Sequence, residues 1–303
     1  MRAPWLARFG LRDGCFLFLV TTYIVWYWRP LALVFTGSLY DEHSDHYSHI
    51  SLIPFLCLYL LHLRRTAIFA RVEWSPFLGS ILMAVGGAVS LGTKDPISGT
   101  LDSCSPAILS FVLMCWGAFL FCYGIHALRT AFFGLSLMAF MVPFPSVVLD
   151  AIVGFLQRSS AEAAEVLFSA LGVPVFREGF VFSLSDFTIY VAEECSGIRS
   201  ALALLITSLV AGHLFLRSTW GKLGLVSIVV PLAIVKNAVR IVGLALLANY
   251  VNPSFITDSA LHRNGGIPIF ALSLVVLFSA VWLLRKVEQR FGYHQQNESH
   301  AQA

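Results

Sequence analysis

The stretch Val191-Ala192-Glu193-Glu194-Cys195-Ser196-Gly197-Ile198-Arg199-Ser200 opens directly into the apolar run Ala201–Phe215. It places a thiol, two carboxylates and a guanidinium at the start of a segment with the apolar character of a membrane helix. Charged groups are costly there, so a functional cause is considered first. Free N–H groups and the helix dipole at that N-terminus favour a thiolate at Cys195. Arg199 favours it as well, whereas the two glutamates oppose it. We interpret Cys195 as a nucleophile.

The composition of the whole chain agrees with a membrane setting for this stretch. Of 303 residues, 57% are hydrophobic and 12% are charged, and the mean hydropathy is +0.78. An ordinary soluble domain carries roughly 25% charged residues. The chain is therefore interpreted as an integral membrane protein. The net charge is only +3, and the basic residues are spread over loops without forming a basic face, which argues against a nucleic-acid partner.

Runs of about 20 apolar residues predict the membrane helices. We place about eight of them, at residues 14–36, 50–63, 76–93, 106–125, 130–149, 197–216, 222–249 and 266–284. Pro143-Phe144-Pro145 is expected to end or kink the fifth. Loops on one side hold most of the Lys and Arg residues, which predicts that both termini are cytoplasmic. The long segments 37–49, 150–196 and 250–265 then face outward.

The segment 150–196 is the largest part that does not span. In Ala151–Leu171 apolar residues recur at helical spacing, which predicts an amphipathic helix on the membrane surface, ended by Gly172-Val173-Pro174. The polar positions of that helix are Gln157, Arg158, Glu162 and Glu165. The alternation in Val175–Val191 predicts a small β-hairpin that leads the chain to Cys195.

The predicted fold is thus an all-α polytopic membrane protein with about eight transmembrane helices, an amphipathic surface helix and a small β-hairpin on the outer face. Residues 1–292 are expected to form a single integral membrane domain. The polar tail 293–303 is expected to be disordered.

With this topology, three residue types suited to thiol chemistry lie towards one membrane face. Cys195 begins the sixth helix, Arg240 lies roughly 15 Å below the outer end of the seventh, and His262 stands in the loop before the eighth. A thiolate can attack a carbonyl carbon, an imidazole can move protons, and a fixed guanidinium can stabilise an oxyanion. These three side chains are the candidate catalytic residues.

Other polar residues support this site or compete for a place in it. Asn237 shares a helix face with Arg240 and can orient it or bind the substrate backbone. Arg240 has a structural alternative, an ion pair with Glu193, Glu194 or Asp258. His49 is a second candidate for the base. Lys236, a like charge four residues before Arg240, has no role that the pattern explains.

The histidines and carboxylates of Tyr40–His49 do not form a metal signature. We therefore expect no metal ion and no other cofactor.

Several motifs resemble those of the exosortase/archaeosortase family of membrane cysteine transpeptidases. The run from Ala192 to Ser200 is similar to its nucleophile motif. Lys236-Asn237-Ala238-Val239-Arg240-Ile241 is similar to its N-x-x-R helix motif, and Leu261-His262-Arg263-Asn264-Gly265-Gly266 to its histidine motif. Asp45–His49 and Pro143–Pro145 lie where the family carries D-x-S-H and P-x-P elements, although Ile50 replaces the usual glycine. The resemblance runs from about residue 40 to 285.

This resemblance implies an activity, partners and a location. The family cleaves C-terminal sorting signals of exported proteins, each a short Pro-Glu-Pro-type motif, a membrane helix and a basic tail. Cys195 would form a thioester that is passed to an acceptor, with Arg240 and His262 as its partners. A histidine at the third motif is exosortase-like, which implies a bacterial inner membrane and an active site on the periplasmic face. The target proteins, the acceptor and the balance between transfer and hydrolysis stay open.

Two rival functions fit the residues less well. An intramembrane glutamic protease of the CAAX-processing type has the motif E-E-x-x-x-R, but four residues separate Glu194 from Arg199 here, and Cys195 would be idle. A multi-pass transporter would place its charged residues at the membrane midplane between broken helices. The candidate residues gather at one face instead.

Overall fold

Helices form most of the chain in this computed structural model. The structure describes residues 10–36, 49–92, 101–184, 188–192, 196–250 and 266–301, except for the side chains of 101–103 and 291–301. Internal contacts divide the chain into two compact units, Met1–Leu149 and Asp150–Ala303. The single domain expected over 1–292 stays a prediction.

The first unit is built around the segment Leu101–Ser136, in which two helical parts are joined at a backbone break. Its described elements are α1 (Leu11–Trp26), α2 (Trp28–Thr36), a 3₁₀ turn (Ile50–Leu52), α3 (Ile53–Leu63), α4 (Arg65–Ile68), α5 (Pro76–Leu91), α6 (Leu101–Ser136) and a second 3₁₀ segment (Leu137–Met141). α5 packs along α6, and α1, α3 and α4 also contact α6. Glycines at the α5–α6 contact allow this close approach: a Cβ added at Gly79 would stand 2.5 Å from the Phe121 Cβ. α6 is thus the central helix of this unit.

α6 contains a backbone break at Gly124, where φ is 82° and ψ is 176°. The break leaves carbonyl groups of the preceding turn without their helical partners. The segment before α5 supplies them: Glu73 N donates to Tyr123 O at 3.3 Å, and Ser75 N donates to Phe121 O at 3.2 Å. Only glycine fits, since an added Cβ would lie 2.6 Å from Glu73 O.

The second unit combines helices with a small sheet. Its described elements are α7 (Ser146–Ala170, which begins just before the division), β1 (Phe176–Glu178), β2 (Val181–Ser183), β3 (Thr188–Tyr190), α8 (Ile198–Phe215), α9 (Thr219–Tyr250) and α10 (Gly266–Ala301). The strands form an antiparallel sheet in the order β1-β2-β3. Phe176 pairs with Ser183, and Val181 pairs with Tyr190.

α9 belongs to two hydrophobic cores of this unit. Its first half packs with α8 and α10 around Leu204, Leu225 and Leu277. Its second half packs with α7 and the sheet around Phe168 and Phe182. The middle of α9, where Lys236 and Asn237 lie, is therefore held from both sides. The carboxylate of Glu288 on α10 accepts hydrogen bonds from Arg217 N and Ser218 N, which ties α10 to the start of α9.

The structure contains four helices that are long and apolar enough to cross a membrane, in the part of the chain that it describes. They are Cys104–Met141, α8, α9 and Gly266–Arg290, and a fifth arises if α1 and α2, bent by 72°, count as one span. The eight predicted spans are not confirmed. Ile50–Leu63 and α5 are shorter apolar helices. The predicted helix 106–125 ends beside the break at Gly124, but 106–125 and 130–149 are not confirmed as two spans. By length and composition Cys104–Met141 counts as one candidate span, and Ser146 already starts α7.

Other sequence predictions for this region are closer to the structure. The predicted helices 197–216 and 222–249 are α8 and α9, within three residues at each end, and 266–284 is the first part of α10. Pro143-Phe144-Pro145 separates the 3₁₀ segment from α7, as expected. The predicted hairpin has a third strand, because Thr188–Tyr190 pairs with β2. The helix predicted at 151–171 is present and starts earlier, at Ser146.

The last helix is assigned through Ala301, which includes most of the polar tail 293–303. Side chains beyond Arg290 are not described. Disorder of this tail stays a prediction.

Candidate functional site

The candidate site residues are divided between described and undescribed parts of the chain. Cys195, Glu193, Glu194 and His262 lie outside the described residues. Arg199, Asn237 and Arg240 are described in the second unit, and His49 in the first. The geometry that can be stated therefore concerns the residues that flank Cys195 and the helix that carries Arg240.

The turn that follows Cys195 in the sequence packs against the middle of α9. Gly197 is the N-cap residue of α8 and has φ 78° and ψ 14°, a left-handed conformation that favours glycine. A Cβ at this position would lie 3.1 Å from both Cγ and Oδ1 of Asn237. Asn237 is 1% exposed. The start of α8 and the predicted N-x-x-R helix are thus in direct contact.

A second contact between α8 and α9 involves Lys236, which the sequence analysis leaves unexplained. Its side chain is 8% exposed, and its Nζ donates a hydrogen bond to Ser200 Oγ. Ser200 Oγ donates in turn to Gly197 O at 2.9 Å. A polar chain therefore runs from Lys236 through Ser200 to the turn at Gly197.

Two arginines complete the described cationic groups of this region. Arg240 follows Lys236 by one helical turn and is half-buried, and the two cations are close enough to repel each other. Arg199, in the first turn of α8, is exposed. Positive charge is thus concentrated where α8 begins and α9 passes, a setting that suits an anion or a developing negative charge.

The chain before Cys195 is held by α7 and the sheet. Gln157 of α7 is 4% exposed, and its Nε2 donates to Val191 O at 2.7 Å. Val191 N donates to Phe180 O at 3.0 Å. Val191 itself is buried in the core formed with Phe168 and Phe182. Helical spacing alone places Gln157 among the polar positions of an amphipathic helix and does not reveal this contact.

Ser196, the immediate neighbour of Cys195, is 2% exposed, and within the described ranges its Oγ has no hydrogen-bond partner. Buried hydroxyls are normally satisfied, so this oxygen is a candidate contact for a substrate group. The described residues contain no group of three or more His, Cys, Asp or Glu side chains that could hold a metal ion.

The chain matches a known protein family. The family model for the transmembrane exosortase matches residues 41–279, which is most of the chain. Neither the comparison with curated proteins nor that with solved structures gave a significant match. The matched range includes the predicted nucleophile motif, the α9 motif and the histidine motif. Together with a largely helical structure that contains several potential membrane spans, this match establishes that the chain belongs to the transmembrane exosortase family.

Proposed function

We propose that this protein is a membrane cysteine protease or transpeptidase that cleaves C-terminal sorting signals of exported proteins. Membership of the exosortase family supports a role in processing sorting signals within the membrane. The observation that carries the finer proposal is the contact between Gly197 and Asn237. It joins the segment that follows Cys195 to the helix that bears Arg240.

Chain connectivity strengthens this argument. Gly197 follows Cys195 by two positions in the sequence, and two residues of extended chain span at most about 7 Å. Arg240 follows Asn237 by three residues, so the two side chains project from neighbouring positions on one side of α9. A thiol and a guanidinium that act on one carbonyl group must come from segments that lie close together.

The roles then follow from the chemistry of each group. The Cys195 thiolate attacks the carbonyl carbon of the scissile peptide bond, and the Arg240 guanidinium stabilises the oxyanion of the tetrahedral intermediate. His262 donates a proton to the leaving amine as the C–N bond breaks and a thioester forms. An acceptor nucleophile then attacks the thioester and releases the thiol. His49 is the alternative base.

The substrates in this proposal are exported proteins with a short Pro-Glu-Pro-type motif, a membrane helix and a basic tail. The enzyme lies in the bacterial inner membrane with both termini in the cytoplasm, and the reaction takes place on the periplasmic face. No cofactor takes part, since the thiol, guanidinium and imidazole supply nucleophile, electrostatic stabilisation and proton transfer.

Replacement of the nucleophile tests this proposal. Cys195→Ala and Cys195→Ser are expected to abolish cleavage of the sorting signal while the protein still accumulates in the membrane. Processing is measured by immunoblot in cells that lack any second sortase. Lys222→Met on α9 serves as the control. Normal processing by Cys195→Ala would reject the cysteine mechanism. In a His262→Ala background, loss of the substrate thioester on Cys195 would support His262 as the acid that acts in thioester formation, whereas capture of a thioester would reject that role and move His262 to the resolution step.

A further inference from the structure

Two buried polar side chains hold the backbone on either side of Cys195. Gln157 on α7 bonds to Val191 O, four residues before the thiol. Lys236 on α9 reaches, through Ser200, the carbonyl of Gly197, two residues after it. Neither Gln157 nor Lys236 has a role in the mechanism proposed above.

The Gln157 contact is a directional hydrogen bond and not only side-chain packing. The face of α7 that carries Gln157 also carries Ala161, Ala164 and Phe168, which are buried in the same core as Val191, together with the small buried residue Ser160. A glutamine on such a face is unfavourable unless its amide is hydrogen-bonded. Its amide group is used on a main-chain carbonyl just beyond β3. The hydrogen bond from Gln157 therefore fixes the position of Val191 relative to α7, just after the chain leaves β3.

The Lys236 contact likewise uses a buried polar donor to hold the backbone, here on the C-terminal side of Cys195. An ammonium group in the middle of an apolar helix is expensive, and residues of this kind in membrane helices commonly serve function. Here the ammonium donates to the Ser200 hydroxyl, and the hydroxyl donates to Gly197 O. Because Gly197 O also accepts from Ala201 N at 3.0 Å, the peptide that starts α8 is held in one orientation. A leucine at 236 would pack at lower cost but could not hold this peptide.

We propose that Gln157 and Lys236 are positioning residues that form a two-point clamp, one point at Val191 and one at Gly197, and so set where the Cys195 thiol meets the substrate carbonyl. This inference rests on the function proposed above. Neither residue is required to touch the substrate. A clamp of this kind acts on the chemical step, because small displacements of a reacting atom reduce the rate by up to about 100-fold while substrate affinity is retained.

The test uses variants that keep side-chain size but remove the donor, in the full-length enzyme with a sorting-signal substrate. Gln157→Met and Lys236→Met are each expected to lower kcat by about 10- to 100-fold with KM changed less than twofold. Lys236→Arg, which can still donate to Ser200, is expected to recover most of kcat. Ser200→Ala is expected to match Lys236→Met. Lys222→Met on the same helix is the matched control and is expected to behave as the wild type.

A second measurement distinguishes a misplaced Cys195 thiol from a loss of folded protein. The alkylation rate of Cys195 by N-ethylmaleimide, followed by mass spectrometry of its peptide, is expected to change at least threefold in both Met variants at a temperature where both remain folded. Wild-type kcat in folded Gln157→Met and Lys236→Met would overturn the clamp. A kcat loss that only parallels lower thermal stability, with unchanged alkylation, would overturn it as well. If Cys195→Ala still processes substrate, the proposed function itself is wrong. If Cys195 is essential but Gln157→Met and Lys236→Met have wild-type kcat, only the clamp is rejected.

Discussion

At the scale of single residues, the contact between Gly197 and Asn237 sets the geometry on which the proposed chemistry depends. Gly197 combines a left-handed backbone with a close side-chain neighbour. The two constraints act together, because a side chain at 197 would meet backbone strain and also push against Asn237. Asn237 cannot yield easily, since it is buried at the centre of α9 between two cores.

Gly197→Ala adds only one methyl group, but it is expected to impair activity strongly. The left-handed conformation costs an alanine about 1–2 kcal/mol, and the added Cβ displaces either Asn237 or the start of α8. We expect a loss of at least tenfold in the rate of signal cleavage. Gly243→Ala on α9 is the control, because a Cβ there meets nothing within 4 Å. Equal activity of the two variants would contradict the argument.

The sequence points to some of the candidate residues and misses others for physical reasons. The charged cluster at the start of α8 points to Cys195, and helical spacing adds Asn237 to Arg240, because residues three or four apart on a helix share a face; the roles of all three stay predictions. Gln157 and Lys236 have no such signature. Their importance comes from backbone carbonyls that tertiary packing brings to them, and no local spacing encodes those contacts.

At the scale of elements, the pair α5–α6 shows how close helix packing depends on glycine. A Cβ at Gly117 of α6 would stand 2.6 Å from Met83 Cγ and 2.8 Å from Met83 N on α5. The second contact is to backbone, so rotation of a side chain cannot relieve it. By contrast, a Cβ at Gly87 of α5 would make an ordinary contact of 3.7 Å with Met114 Cε.

Gly117→Ala is accordingly expected to destabilise the protein by roughly 1–3 kcal/mol, the usual range for overpacking. Gly87→Ala is expected to be neutral or slightly stabilising, because alanine favours helix over glycine. Thermal unfolding in detergent, followed by tryptophan fluorescence, compares the two variants with the wild type. A midpoint for Gly117→Ala at or above that of Gly87→Ala would show that α5 and α6 do not pack as closely as described.

Element boundaries also show the limits of hydropathy. An apolar window over 130–149 predicts one span, but the structure gives the first part to the end of α6 and the last part to α7. Pro143 and Pro145 separate them because proline lacks the N–H that would continue the helix. The predicted helix end at 125 lies beside the break at Gly124, but hydropathy does not reveal that residues 73–75 bond to the carbonyl groups there.

At the scale of the whole molecule, exposure of apolar surface indicates how the second unit meets the membrane. In the most apolar stretch of α10 only 17% is buried inside the protein, whereas 67% is buried in the corresponding stretch of Cys104–Met141. A soluble protein rarely leaves so much apolar surface exposed, so lipid is expected to cover α10. Near the end of this apolar stretch, Lys286 lies over the Trp282 ring at 3.8 Å, and Arg285 and Arg290 are close in sequence. Aromatic and basic residues together are typical of a cytoplasmic interface.

This arrangement predicts the side on which Cys195 reacts, whatever the number of spans in the first unit. If α10 ends in the cytoplasm, then α9 must run outward and α8 must begin on the periplasmic side, because the three are consecutive candidate spans. In intact spheroplasts, a membrane-impermeant thiol reagent is expected to label Cys195, whereas Ala303→Cys in a Cys195→Ser background is expected to react only after permeabilisation. The Cys195→Ser protein itself measures labelling of the remaining cysteines. If both sites react from the same side, one of these three helices does not cross, and the proposed periplasmic site is wrong. Opposite labelling would place the thiol where exported substrates arrive.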